Sequence, residues 1–258
     1  HTLQHEPQSG ITFQAGSGKE IARLTGLRVV NDFRREDVAQ GGQGAPLVPV
    51  GDRILFPAYE GCLNLGGFAN ISYEDGAGLR RAFDIGPANM ALNWIAGLEG
   101  LSYDHHGELA RSGRISVQLL ESLNKLEYYK LSPPKSLGRE WFLETFVPQL
   151  QGHTLSVPDL LASTAEHIAI QISTAIHQAG INRVLLSGGG ALNQYLVERL
   201  ASHTEAKLEI PDLQLIHFKE ALVFAFLGLL KMLGEINCLA SVTGGQRDLS
   251  VGCRHASS

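Results

Sequence analysis

Asp84 stands at the end of a candidate strand, Arg80 to Ile85, directly ahead of Gly86-Pro87. In open α/β sheets ligands gather at such strand ends. A carboxylate there can serve as a general base toward water or a hydroxyl, or hold a metal ion through water. The same position also suits a turn aspartate or a helix N-cap. Two glycine-rich turns lie far apart in the chain, Asn64-Leu65-Gly66-Gly67-Phe68-Ala69-Asn70 and Ser187-Gly188-Gly189-Gly190-Ala191-Leu192-Asn193. Each could aim backbone N–H groups at a phosphate or let a nucleotide lie close, and each could equally be a tight turn that needs positive φ. Neither has the lysine and hydroxyl residue of a P-loop or the glycine spacing of the dinucleotide fingerprint.

Asp32, Arg34 and Asp37 crowd one short segment ahead of a glycine-dense loop, Gly41 to Pro46. An arginine fork there could clamp a carboxylate or phosphate, while a solvated charged turn is the plainer reading. Glu220 opens a strong helical pattern over about Lys219 to Leu233, where its charge suits the helix dipole or could project into a site. His1, His5 and Glu6 are too few to make a zinc site, and His105-His106 reads as surface. No metal site is assigned.

The elements that must position these groups follow from periodicity. Ile21 to Leu27 reads as a short helix, Arg28 to Val30 as a strand, and Cys62 to Tyr73 as a hairpin folded at Gly66-Gly67. A helix begins near Asn89. Leu155 to Ala179 carries apolar residues at the spacing of one helix face, and Pro133-Pro134 reads as a local extended turn. Arg183 to Ser187 is a compact strand, followed by the second glycine turn and an amphipathic helix, Asn193 to Leu200. Strand, glycine turn and helix in that order indicate α/β architecture.

A chain of 258 residues with 44% hydrophobic content can bury a substantial core, as one large domain or two smaller ones. The net charge of -5 leaves no basic footprint for nucleic acid. No stretch approaches the roughly 20 apolar residues of a membrane span, and nothing at the start resembles a signal peptide. Cys62, Cys238 and Cys253 share no metal-ligand spacing; they read as small buried hydrophobes in a reducing cytoplasm.

Several segments together resemble one family in order and spacing. They are Thr2 to Pro7, Asp32-Phe33-Arg34, Gly41 to Leu47, Asn64 to Asn70, Phe83 to Asn89, Pro133 to Ser136, Ser187 to Asn193, Lys219-Glu220-Ala221 and Val242-Thr243-Gly244. The match, to the anhydro-N-acetylmuramic acid kinase family, runs over nearly the whole chain. It implies the actin-like ATPase (ribonuclease H-like) fold, with two lobes around a nucleotide cleft: 1–85 as the remaining part of the N-terminal lobe and 86–258 as the C-terminal lobe. It also implies a cytoplasmic transferase of peptidoglycan recycling, a homodimer using ATP and Mg2+. That enzyme opens the 1,6-anhydro ring of an amino sugar with water and phosphorylates the freed O6.

By the same resemblance, the aspartate of the family's aspartate–glycine–proline motif, the base that activates water, falls on Asp84. The hairpin with Gly66, Gly67 and Asn70 corresponds to the second phosphate-binding element. The turn with Gly188, Gly189, Gly190 and Asn193 corresponds to the adenosine element, and Thr2, Arg34 and Glu220 to the sugar side. Three departures stand out: no counterpart to the first phosphate-binding glycine hairpin, roughly the first quarter of a typical member; Ala88 where glycine is usual; and Asn93 where aspartate is common. The alternatives are a catalytically silent nucleotide- or sugar-binding remnant and a related kinase for another sugar.

Overall fold

The computed structural model of the protein describes residues 2–256. His1, weighed above with His5 and Glu6 as a metal site, lies outside them. In chain order the first elements are β1 (Thr2–Glu6), β2 (Ile11–Gln14), α1 (Gly18–Thr25), β3 (Val29–Asn31), α2 (Arg35–Ala39) and α3 (Val48–Leu55). Then come β4 (Gly61–Leu65), β5 (Phe68–Glu74), β6 (Arg80–Pro87), α4 (Asn89–Ala96), α5 (Glu108–Ser112) and α6 (Val117–Asn124). The remainder is α7 (Arg139–Trp141), α8 (Val147–Gln151), α9 (Val157–Ala179), β7 (Arg183–Ser187), α10 (Gln194–His203), β8 (Lys207–Glu209), α11 (Leu213–Leu233), α12 (Ala240–Thr243) and β9 (Cys253–His255). The α/β class expected from sequence is therefore observed, with a mixed five-stranded sheet in the order β6-β5-β4-β7-β8.

The chain divides into two compact units, each discontinuous in sequence: His1–Ala58 with Glu74–Arg81 and Phe218–Ser258, and Tyr59–Tyr73 with Ala82–His217. In the second, β4 pairs antiparallel with β5 and parallel with β7, which in turn runs parallel to β8. Leu63, Leu65, Ile71, Ile85, Val184 and Leu186 from the sheet share one core with Ile95 of α4 and Leu161, Ile168 and Ile172 of α9. Helix α9 starts at a serine cap, Ser156 Oγ accepting from the Asp159 N–H at 3.3 Å, with Pro158 in its first turn. It ends at Gly180, held at φ 66° where a glycine meets no Cβ penalty. Glu166, buried on α9, accepts from Arg199 Nε at 2.5 Å and His203 Nε2 at 2.8 Å, both on α10. That bond set fixes α10, and with it the glycine turn that leads into it.

The first unit is organised on a buried carboxylate. Asp37 was expected in a solvated charged turn, yet it is 0% exposed. Its Oδ2 accepts from the Gly44 N–H at 2.7 Å and its Oδ1 from the Thr243 hydroxyl at 2.7 Å. A Cβ at Gly42 would sit 2.1 Å from that carboxylate, so the glycine-dense loop is glycine because it wraps an anion belonging to the protein itself. Asn237 works similarly, donating to Leu227 O and Val251 O and accepting from the Val251 N–H.

Three further expectations differ from what is observed. Helix α11 starts at Leu213 rather than near Lys219, so Glu220 lies well inside it and does not cap it. By length and composition α11 is also apolar enough to cross a membrane, contrary to the expectation that no stretch would be. The periodic view missed this because Lys219 and Glu220 interrupt the run; Lys219 is buried with Val223, Leu227 and Leu230 along one stripe and pairs with Asp52 at 2.8 Å. Cys253, expected buried, is exposed, whereas Cys62 and Cys238 are buried.

Asp37→Ala leaves the Gly44 N–H and the Thr243 hydroxyl without their acceptor. It is expected to cost about 2–4 kcal/mol of stability in denaturant unfolding, and Asp37→Asn, which keeps an acceptor oxygen, to cost less.

Candidate active site

The parallel ladder places Asn64 of β4 opposite Ser187 of β7. The strands leave the sheet side by side, so the two glycine turns that follow them, distant in sequence, become neighbours at one sheet edge. A Cβ on Gly188 would lie 2.6 Å from Asn64 Oδ1 and 2.8 Å from Leu65 O, and one on Gly190 would lie 2.7 Å from Leu65 Cβ. Gly188 also has φ 79°, a left-handed value that disfavours side chains. The tight-turn reading thus holds for Gly188 but not for Gly66 and Gly67, neither of which has positive φ. Asn193 caps α10, its Oδ1 accepting from the Leu196 N–H at 3.0 Å, and Asn70 sits opposite Asn64 in the hairpin.

Gly66 and Gly67 present their carbonyls to the start of α4. Gly66 O accepts from the Asn89 N–H, and Gly67 O from the N–H groups of Ala88 and Met90, at 2.8–3.1 Å. These bonds tie the end of β6 to the hairpin turn. They also occupy the N-terminal donors of α4, so an anion here meets the turns rather than the helix end. Ala88, where glycine is usual in the family, is fully buried at φ -123° and is accommodated.

Asp84 lies within β6, three residues before its end, and serves neither as a turn residue nor as a cap. Its backbone N–H donates to Lys135 O at 3.1 Å, its carbonyl accepts from the Tyr128 hydroxyl at 2.5 Å, and its Oδ2 accepts from the Leu137 N–H at 2.9 Å. Among the described residues none donates to Oδ1. Burial pushes the carboxyl above its ordinary 3.8, and the Leu137 bond pulls the other way. A half-buried carboxylate with one oxygen fixed and the other open has the form of a general base.

Gly86 has its own reason. A Cβ there would lie 2.9 Å from the Tyr129 hydroxyl. That hydroxyl is 2.8 Å from Nε2 of His167, whose Nδ1 is 2.6 Å from Asn124 Oδ1. Burial pushes His167 down to about 3, so the ring is neutral; Nδ1 donates to the amide oxygen and Nε2 accepts from Tyr129. Sequence reading missed Tyr128, Tyr129, Leu137 and His167. The Pro133 to Ser136 segment was the available signal for Leu137, and nothing marks His167 within an apolar helical pattern.

Thr2, Arg34 and Glu220 belong to the first unit. Arg34 is half-buried and donates from Nη1 to Gly44 O at 2.6 Å. Burial lowers its guanidinium from the ordinary value, and Glu220 opposes that. His5 is lowered by burial and by Arg34, so it joins this group. Thr2, exposed on β1, accepts from Gln14 Nε2 at 3.5 Å. Among the described residues no three His, Cys, Asp or Glu side chains gather as a cation site.

The Asp84 shift sets a test. A carboxyl raised in the folded state contributes stability below its unfolded value that is lost as pH rises through the folded one. Asp84→Asn should therefore unfold at a higher temperature than the parent at pH 7, and the gap should close below about pH 3.8. Melting curves across this range check it. Gly188→Ala, which forces a side chain into Asn64 and Leu65, should lower stability by roughly 1–3 kcal/mol or displace the turn.

The sequence profile described as "Anhydro-N-acetylmuramic acid kinase" matches residues 1–256. A relative of that name from Xylella fastidiosa is 38% identical over 98% of this chain and 70% of its own length. One from Thiobacillus denitrificans is 38% identical over 98% of this chain and 72% of its own. Among solved structures, an ADPNP-bound activator of 2-hydroxyisocaproyl-CoA dehydratase from Clostridium difficile gives a TM-score of 0.46 at 20% identity, covering 70% of this chain and 64% of that one, too loose a likeness to carry weight. With the profile spanning both units and relatives well above 30% identity, the chain belongs to the anhydro-N-acetylmuramic acid kinase family.

Proposed function

We propose that the protein phosphorylates anhydro-N-acetylmuramic acid at the expense of ATP, with Asp84 as the base, in the recycling of peptidoglycan. The observation that carries the role of Asp84 is its carboxylate: buried enough to be raised, held at Oδ2 by Leu137, and open at Oδ1. In this reading Asp84 Oδ1 takes a proton from water as the water oxygen bonds to the anomeric carbon. The bond from that carbon to O6 breaks, and O6 takes the γ-phosphoryl group as ADP departs. Base catalysis of this kind contributes about 10²–10⁴-fold.

ATP would lie along the paired glycine turns, which the close packing of Gly188 and Gly190 on β4 holds side by side. Gly66, Gly67 and Asn70 would face the phosphates, and Gly188, Gly189, Gly190 and Asn193 the adenosine. The described residues offer no resident cation site; Mg2+ would arrive on the nucleotide and neutralise its charge, and no step is routed through it. Thr2, Arg34 and Glu220 would hold the sugar, Arg34 as a donor fork for its carboxylate.

The actin-like fold with lobes 1–85 and 86–258, the homodimer and the cytoplasmic setting come with the family reading. A silent binding remnant is not favoured by relatives named as kinases over nearly all of this chain. The test is product sugar phosphate, measured by mass spectrometry from the anhydro sugar and ATP. Asp84→Asn should lower turnover by at least about 10²-fold with ADP affinity within a few-fold, because a base acts in the transition state. A variant turning over near the parent rate would remove Asp84 from the mechanism.

A further inference from the structure

Strand β6, which carries Asp84, lies at the end of the sheet order. A strand so placed presents N–H and C=O groups that no neighbouring strand fixes. At Asp84 both groups are met from outside the sheet: the N–H donates to Lys135 O at 3.1 Å, and the carbonyl accepts from the Tyr128 hydroxyl at 2.5 Å. Two residues on, a Cβ at Gly86 would lie 2.9 Å from the Tyr129 hydroxyl. Gly86 does not have positive φ, so this contact, not backbone conformation, excludes a side chain there.

Adjacent tyrosines thus reach alternate residues of β6 from one short turn, Glu127–Lys130. Their rings meet edge to face, centroids 5.8 Å apart. Tyr128 is buried, with the Trp141 ring 5.4 Å away and Lys135 Nζ 4.7 Å from its centroid. Tyr129 is oriented from behind. Asn124 Oδ1 can only accept; it takes a hydrogen bond from Gln171 Nε2 at 2.9 Å and another from His167 Nδ1 at 2.6 Å. In the neutral ring Nε2 is then the acceptor, and the Tyr129 hydroxyl donates to it at 2.8 Å. The hydroxyl hydrogen has a single direction, and the oxygen is pinned beside Gly86.

For packing alone, phenylalanine would serve at both positions. The hydroxyls are the atoms that touch β6, and burying them is unfavourable unless each is bonded. They meet the strand at the base and two residues beyond it, where the carboxylate itself has only the Leu137 N–H among the described residues. An edge strand that shifts carries the carboxylate with it, and a misplacement of about 1 Å can cost a reaction roughly 10²-fold.

We propose that Tyr128 and Tyr129 are positioning residues for Asp84, Tyr128 by holding its backbone carbonyl and Tyr129, oriented by His167, by fixing Gly86. The inference rests on the reading of Asp84 as the base, and deepens it.

The test compares the full chain with Tyr128→Phe and Tyr129→Phe, each of which keeps its ring. A further variant joins Tyr129→Phe to His167→Leu, so that no buried acceptor is orphaned; melting curves verify the fold. The Asp84 carboxyl is titrated by NMR with isotope-labelled aspartate, its signal assigned by its absence from Asp84→Asn. The expected result is an apparent pKa that falls in each variant toward the ordinary 3.8 as the carboxyl is released from its buried setting, with kcat lowered by roughly 10- to 100-fold and both KM values unchanged. Gly86→Ala should slow turnover similarly, and its loss should not add to that of Tyr129→Phe, because both act through one contact. A folded variant whose Asp84 titrates as in the parent, or which keeps the parent kcat, removes that tyrosine from the role, and additive losses remove the Tyr129–Gly86 contact. Those results, with Asp84→Asn silent, would leave the base reading standing; near-parent turnover by Asp84→Asn would overturn both.

Discussion

The parallel pairing of β4 with β7 is the constraint from which the rest of the second unit follows. Residues 61–64 and 184–187 run in register, so whatever follows the two strands must share one edge of the sheet. Both are followed by glycines, and the room at that edge is so tight that Gly188 and Gly190 touch β4 with backbone atoms alone. The carbonyls of Gly66 and Gly67 then anchor the start of α4 and the end of β6. One ladder thus sets the place of both turns and of the strand that carries Asp84.

Asp84 gains its properties from a second layer of contacts. Its backbone is held on both sides, by Lys135 O and by the Tyr128 hydroxyl, so the side chain is aimed by bonds it does not itself make. Tyr129 occupies the space that a side chain at Gly86 would need, and the neutral, fully buried His167 holds that hydroxyl. Burying a carboxylate is unfavourable, and the single amide from Leu137 offsets only part of the cost. A group kept at a cost to stability is what catalysis asks of a base.

Much of this was legible in the sequence where chemistry depends on local order. The Gly66-Gly67 hairpin, the strand before Gly188 and the helix after Asn193 appear as periodicity and turn residues indicate, and α9 follows its apolar spacing closely. What sequence could not supply was pairing at long range. Asp37 reads as a charged turn residue until Thr243, remote in the chain, is seen to donate to it. His106 reads as surface until its Nδ1 is seen to donate to Leu192 O. Glu220 reads as a cap because Lys219 and Glu220 break an apolar run that in fact begins at Leu213. In each case the deciding partner lies far away in sequence or on the opposite side of a helix, where local propensity carries no information.

Two of the three sugar-side candidates, Arg34 and Glu220, interact electrostatically in the first unit, and His5 lies within the reach of Arg34. Asp84 and the glycine turns belong to the second, and the proposed reaction needs both sets of residues. Its central claim is that water activated by Asp84 attacks the anomeric carbon while O6 accepts the phosphoryl group. The direct measurement is turnover in 18O-labelled water, with the product reduced at once by borohydride to stop exchange and the label located by mass spectrometry. The account predicts one labelled oxygen on C1 of the sugar and none in the transferred phosphate. Label in the phosphate, or an unlabelled sugar phosphate, would contradict it.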